Sequence, residues 1–388
     1  MKVVHLLMAT AHGHLSPSDI LTGNRGVTGS EQAMIFLARQ SARRGHRVVV
    51  YLPTKTEVID EGVCYLDYTT EYPRLREVDT ADVVVSWLSA DALVRCRPEQ
   101  LRVHSIQIND WLLNSAADPQ YNHVDVFLCV SQAQSGWLWA AQDAPPKEPH
   151  RIEIVPNGVD CGRFGRVSTR RGLRCVYSSS PDRGLHWLLY LWPEIRREFS
   201  EARLHVYYEM DKWVTGCQGL ITEVGQRARY IMRRLKALNG HGVIVEGAVS
   251  PLAVADALLR SDFFLYPCDP VAPTEGFSVS TMEACAAGCL PIITDADALG
   301  EIYGPSEALV VPRGEGRGWI DTYLDTVLKA MKDSEDGTGW VAQRQQCRVF
   351  AERYDWSYVA DQFHVMVERR LAMKGASNGQ TIIPTVPA

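Results

Sequence analysis

The segment Pro273–Leu290 (PTEGFSVSTMEACAAGCL) concentrates residues able to do chemistry. Glu275 and Gly276 lie in a polar stretch. Ser278, Ser280 and Thr281 follow, and Glu283 sits on the small, apolar run after them. Read as a loop opening into a helix, this is an anion site. First-turn N–H groups and the positive end of the helix dipole attract a phosphate, and Gly276 lets the backbone approach closely. Glu275 and Glu283 then offer two acceptors beside that anion, suited to hydroxyls: ribose on one side, a second sugar on the other. An arbitrary pair of glutamates is more often a surface carboxylate and a helix-dipole partner.

Other patterns carry less. Asp295-Ala296-Asp297 has the spacing of a carboxylate pair that binds a divalent ion on a diphosphate. It falls after the helix that carries Glu283, where two aspartates near a turn are commonly solvated, so no metal is expected. His12-Gly13-His14 lacks a carboxylate or cysteine at ligand spacing. Glycines 23, 26 and 29 do not form G-x-G-x-x-G, and G-x-S-x-G is absent, so nicotinamide and serine-nucleophile chemistry are poorly supported.

These residues need elements to position them. In the first half, Val3–Met8, His46–Leu52, Asp82–Trp87, Val103–Ile108 and Val126–Val130 read as strands, and Glu31–Arg44 as a helix closed by Gly45. The valine runs are continuous, not alternating, which predicts a parallel sheet covered on both faces. A second series starts near Arg174. Its strands are Arg174–Ser178, Leu204–Tyr208, Val243–Glu246, Phe263–Pro267 and Leu290–Thr294, and its helices are Gly184–Glu198, Pro251–Ser261 and Thr281–Ala287. Two βα series predict an α/β fold of two doubly wound, Rossmann-like domains, with ligands at the carboxyl ends of the strands in a cleft between them. The expected limits are an N-terminal domain over 1–160, a linker over 161–172, a C-terminal domain over 173–352, a helix over 353–373 that packs back on the N-terminal domain, and a disordered tail over 374–388.

Composition is consistent with that picture. The 388 residues are 46% hydrophobic and 22% charged, enough for two cores. A net charge of −6 argues against a general nucleic-acid binder. The ten cysteines include no C-x-x-C and point to reduced thiols in a cytoplasmic protein. No run of 18 apolar residues suggests a membrane span. Arg39, Arg43 and Arg44 read as a solvated helix face before they read as a basic docking face.

The run Glu275–Ile293 (EGFSVSTMEACAAGCLPII) resembles the E-x7-E signature of retaining GT-B glycosyltransferases, the family 4 group. Other pieces match in order: VPNGVD at Val155–Asp160, SSSPDRGLHWLL at Ser178–Leu189, GAVS at Gly247–Ser250, LGEI then LVVP after Leu299, and GVTGSE at Gly26–Glu31. The resemblance covers about Val3 to Tyr354. It implies a hexosyl- or pentosyltransferase that moves a sugar from a nucleotide-diphosphate donor with retention, without metal or other cofactor. By that resemblance Glu275 holds donor-sugar hydroxyls and Glu283 the ribose. The stretch Gly276, Phe277, Ser278, Val279 and Ser280 faces the diphosphate, Arg183 grips it, and Gly247 and Gly29 line the donor site. Asn109-Asp110 takes the place of a His-Asp pair, with Asp110 catalytic. Ser179 and Asn157 belong to the matching segments. Two departures stand out: Ser178-Ser179-Ser180 replaces a Gly-Arg step, and Asn109 replaces the histidine. A sugar phosphorylase or epimerase of the same fold, or a non-catalytic donor-binding protein, are the alternatives. The acceptor is left open among glycan, lipid, small molecule and modified nucleic-acid base.

Overall fold

The computed structural model describes residues 1–7, 14–17, 20, 23, 26–71, 75–107, 119–140, 151–166, 173–314, 316–334 and 339–377. The chain forms two α/β units. One comprises Met1–Asp19, Ser30–Asn157 and Trp356–Ala388, and the other Ile20–Gly29 and Gly158–Asp355.

The first unit is built on an eight-stranded sheet. Its elements are β1 (Lys2–Leu7), α1 (Gly29–Arg43), β2 (Arg47–Leu52), β3 (Val58–Asp60), β4 (Val63–Asp67), α2 (Tyr68–Glu71), β5 (Val83–Trp87), β6 (Leu101–Ser105), β7 (Val126–Cys129), α3 (Gln132–Ala140) and β8 (Ile152–Ile154). The order is β3-β4-β2-β1-β5-β6-β7-β8, and every pairing is parallel except β3 with β4. The valine runs supply the central strands: β1 is buried along its length, as is β5. β3 and β4 form a hairpin that the sequence reading did not anticipate. Glu61 and Gly62, both at positive φ (46° and 80°), make its two-residue turn. That is the backbone sign a tight hairpin between twisted strands requires.

The second unit carries β9 (Arg174–Tyr177), α4 (Leu185–Glu198), β10 (Arg203–Val206), α5 (Met210–Cys217), α6 (Glu223–Ala237), β11 (Val243–Val245), α7 (Pro251–Leu259), β12 (Phe263–Tyr266), α8 (Val279–Ala287), β13 (Leu290–Thr294), α9 (Leu299–Tyr303), β14 (Leu309–Val311), α10 (Gly318–Lys332) and α11 (Val341–Glu352). Its parallel sheet runs β11-β10-β9-β12-β13-β14. Strand order reverses between β9 and β12, so their carboxyl ends form the topological switch point at which doubly wound sheets bind ligands. Residues 161–164, expected within a linker, form a 3-10 turn of this unit, with Arg163 and Phe164 buried.

A last helix, α12 (Trp356–Ser377), belongs to the first unit. It buries Val359, Phe363, Met366 and Val367. Arg44 bonds Asp361, Arg370 bonds Glu153 at 2.7 Å, and Lys374 bonds Asp125 at 2.5 Å. At the other crossing, the N–H of Val159 donates to the carbonyl of Tyr354 at 2.8 Å, and Val159 bridges Asp355.

The first unit encloses neutral histidines. His5 on β1 receives the Trp87 indole N–H at 3.0 Å, and His364 on α12 bonds Ser41 at 2.9 Å. Burial pulls His5 down to about 3 and His104 to about 4; burial, then His46, pulls His364 to about 4. The unfolded chain binds protons at these sites near pH 6.5 and the folded chain does not. Their stabilisation is therefore complete above pH 6.5 and is lost as pH falls toward 4, at up to roughly 1.4 kcal/mol per pH unit for each histidine. Urea midpoints are expected to fall steadily between pH 7 and pH 5. A flat profile across that range would show that these rings are not held neutral by the fold.

Candidate functional site

The site is assembled on the second unit, from the segments leaving β9 and β12. Pro267–Thr274 leads from β12 into Glu275, and Ser278 caps α8. Ser278 sits in the left-handed region (φ 61°), with its hydroxyl accepting from the Thr281 N–H at 3.4 Å. The Tyr303 hydroxyl donates to the carbonyls of Phe277 and Ser278 at 2.8 and 2.7 Å. The Ser278 carbonyl also accepts from the N–H groups of Thr281 and Met282 at 3.1 and 3.2 Å, which opens α8. Ser280 is half-buried, its hydroxyl bonded to the carbonyl of Ser178 at 2.7 Å, which ties the exit of β9 to α8.

Arg183 and Glu275 meet. Arg183 Nη1 donates to Glu275 Oε2 at 2.9 Å, and Nη2 lies 3.3 Å from the Thr274 hydroxyl. Tyr266, at the end of β12, donates its hydroxyl to the same Glu275 oxygen and accepts from Ser179 at 3.0 Å. Glu275 is 4% exposed, whereas the Arg183 side chain keeps about a fifth of its surface open. Burial opposes charge on Arg183, but Glu275, Tyr266 and Asp182 outweigh it and raise its pKa above the ordinary value. The guanidinium is permanently cationic and has N–H donors to spare beyond Glu275. The backbone beneath it is tightly placed. Gly184 lies at φ 148°, and a Cβ there would come within 2.2 Å of the Pro267 carbonyl oxygen.

Glu283 lies one helical stretch further on, 5% exposed. Its Oε1 accepts from Arg163 Nη2 at 3.0 Å. Burial raises the Glu283 carboxyl, and Arg163 offsets this only in part. The two aspartates of Asp295-Ala296-Asp297 serve the backbone. Asp297 Oδ2 accepts from the amides of Thr274 and Glu275, each at 2.9 Å, and Asp295 Oδ1 from the amide of Arg313 at 2.6 Å. Among the described residues no group of three His, Cys, Asp or Glu is placed to hold a metal ion.

The remaining candidates divide. Gly276, Phe277 and Ser278 are buried on the Glu275 loop, and Val279 opens α8. Gly29 counts with the second unit, where a Cβ would meet Val279 Cγ2 at 3.0 Å. Gly247 follows β11 at φ 79° with open space around it. Asn157 lies in the first unit, its amide donating to Gln107 at 2.9 Å. Asn109 and Asp110 lie outside the described residues. Sequence reasoning missed Tyr266, Arg163 and Asp269. The Arg163 signal was present, an arginine inside DCGRFGR next to an aromatic, but its partner lies 120 residues away. A separate groove of about 660 Å³, lined by Arg196, Arg203 and Lys236 among others, opens at the amino-terminal end of the same sheet.

Residues 173–328 match the family model for Glycosyl transferases group 1. The chain is 24% identical over 275 residues to a phosphatidyl-myo-inositol mannosyltransferase of Mycolicibacterium smegmatis, a match covering 67% of this chain and 63% of that enzyme. Among solved structures, AviGT4, a glycosyltransferase involved in avilamycin A biosynthesis, aligns with a TM-score of 0.64 at 17% identity over 96% of this chain and 98% of its own. Anabaena HepE, in complex with UDP and glucose, aligns at 0.65 and 13% identity over 95% and 99%. No described helix is long and apolar enough to cross a membrane. Residues 173–328 thus resemble the glycosyl transferases group 1 family, and the two Rossmann-like units have the GT-B fold.

Proposed function

We propose that the protein transfers a sugar from a nucleotide-diphosphate donor to an acceptor, with retention of anomeric configuration and without a metal ion. The observation that carries this reading is the Arg183–Glu275 pair at the switch point, beside the amino terminus of α8. A departing nucleoside diphosphate gains negative charge. A fixed guanidinium and a helix N-terminus meet that need without a metal ion. Glu275 then accepts from donor-sugar hydroxyls, the amides of Ser278, Val279 and Ser280 face the diphosphate, and Glu283 holds the ribose. Asp110 polarises or positions the acceptor and is not a covalent nucleophile. Retention rests on the family resemblance, in which the leaving phosphate steers the acceptor to the same face.

The test begins with a thermal-shift panel of UDP-, GDP- and ADP-sugars. A donor at 100 times its dissociation constant stabilises by about 2.7 kcal/mol. The sugar that shifts the melt is then offered with glycan, lipid and small-molecule acceptors. Turnover is expected to continue in EDTA, and proton NMR couplings of the product to match the donor's anomer. Loss of turnover in EDTA, restored by manganese, would return Asp295 and Asp297 to consideration as ligands. An inverted product would remove the retaining assignment. Binding without turnover would identify a donor-binding protein.

A further inference from the structure

Arg183 is carried on a stretch of backbone held from several sides, and one buried carboxylate organises the hold. Asp269, three residues beyond the end of β12, is 9% exposed. Its N–H donates to the carbonyl of Arg183 at 2.8 Å. Its Oδ2 accepts from the Trp187 indole N–H at 2.8 Å and from Arg227 Nη2 at 3.4 Å, and its Oδ1 accepts from Arg313. His186 Nε2 lies 3.8 Å from Oδ2. Arg227, also 9% exposed, completes the ring: its Nη1 donates to the carbonyl of Asp182 at 2.6 Å and to the carbonyl of Asp269, while Nη2 pairs with Glu223 at 2.6 Å. The carbonyls on either side of the Arg183 Cα are therefore both fixed. Gly184 closes the third side against Pro267.

We propose that Asp269 is a positioning residue for Arg183, with Arg227 and Trp187 as its braces, so that Asp269 governs donor-phosphate binding without touching the donor. The reasoning is electrostatic and geometric. Among these contacts the Asp269 carboxylate is the anion shared by Arg227 and Arg313. Replacing it with a neutral amide keeps the size, removes the attraction and sets an NH₂ group against other donors. Arg227 then turns toward Glu223, and the Asp182 and Asp269 carbonyls lose their common donor. The Arg183 backbone is released, and a displacement of about 1 Å at a charge-binding group is enough to cost on the order of 10²-fold in a reaction step. Supporting contacts of this kind fix a functional side chain as effectively as its own bonds do.

The proposal rests on Arg183 as the diphosphate ligand, and a double-mutant cycle separates the two claims. UDP and GDP are titrated by calorimetry into wild type, Asp269→Asn, Arg183→Ala and the double variant, with melting curves recorded for each. Asp269→Asn is expected to weaken the bound nucleotide five- to twentyfold in the wild-type background and to add nothing once Arg183 is alanine. Equal losses in both backgrounds would show a general structural role and overturn the positioning role alone. Unchanged binding in Arg183→Ala would overturn the phosphate reading and this proposal with it. If Asp269→Asn does not fold, Trp187→Phe keeps an aromatic, though smaller, side chain and removes one N–H donor to Asp269. It is expected to weaken binding at least twofold, only when Arg183 is present, and no effect would overturn the proposal.

Discussion

Arg183→Ala should lower kcat by about 10²- to 10³-fold, the range found when a fixed charge-stabilising group is removed from an active site. The effect should fall mainly on kcat, because the diphosphate is most charged as it leaves. Arg183→Lys should retain partial activity. A lysine keeps the charge but replaces a planar fork by a single ammonium, which cannot serve Glu275 and a phosphate with the same geometry. Stability must be read alongside. Arg183→Ala leaves Glu275 buried with Tyr266 and Ser179 as the polar network around it, and breaking a buried pair from one side costs roughly 3–5 kcal/mol. The double variant Arg183→Ala/Glu275→Gln removes that uncompensated charge and should regain stability without regaining turnover. If Arg183→Ala kept more than about a tenth of wild-type kcat, a loss under about 1.4 kcal/mol, charge stabilisation by Arg183 would be wrong.

Glu283 is expected to report on two properties at once. Its carboxylate is shared with Arg163 in a setting where both side chains are almost fully enclosed. Glu283→Ala should therefore lose about 3–5 kcal/mol of stability, since Arg163 is left charged and buried. It should also weaken free nucleotide and nucleotide sugar alike, because a ribose contact is common to both. Glu283→Gln separates the effects: it fills the same space and keeps an acceptor, so the fold suffers less, while a charged hydrogen bond to ribose is lost at about 1.5–3 kcal/mol. Equal nucleotide affinity in wild type and Glu283→Gln would sink the ribose assignment. Arg163→Met should lower the melting temperature, and an unchanged melt would show that the pair contributes nothing net.

The parts of this molecule legible in sequence were those with a local cause. Continuous valine runs announced β2 and β5, and a serine-rich loop ahead of Met282–Ala287 announced the start of α8. What escaped had non-local causes. The β3–β4 hairpin turns at Glu61-Gly62, where the first residue takes positive φ without the asparagine or aspartate that would signal it. Residues 161–164 look like a polar connector until Glu283 arrives to pair with Arg163. Tyr266 reads as one more aromatic in a buried strand, yet its hydroxyl is what joins Ser179 to Glu275. Asp269 sits in a Pro-Cys-Asp-Pro stretch, and nothing in that tetrapeptide foretells donors from Trp187, Arg227 and Arg313.

The return of α12 to the first unit bears on how the protein is made. Synthesis is vectorial, and domains generally fold as they emerge. The strands of the first sheet leave the ribosome early, but the helix that carries Phe363 and His364 follows about two hundred residues later. Until then the nascent first unit lacks the partners of Arg44, Glu153 and Asp125, and it holds apolar surface open. The second unit, contiguous from Gly158 to Asp355 apart from Ile20–Gly29, has its whole parallel sheet synthesised before α12 emerges. The unit that begins first is thus completed last. A chain stopped after Asp355 would present chaperones with a formed six-stranded sheet joined to an unfinished neighbour.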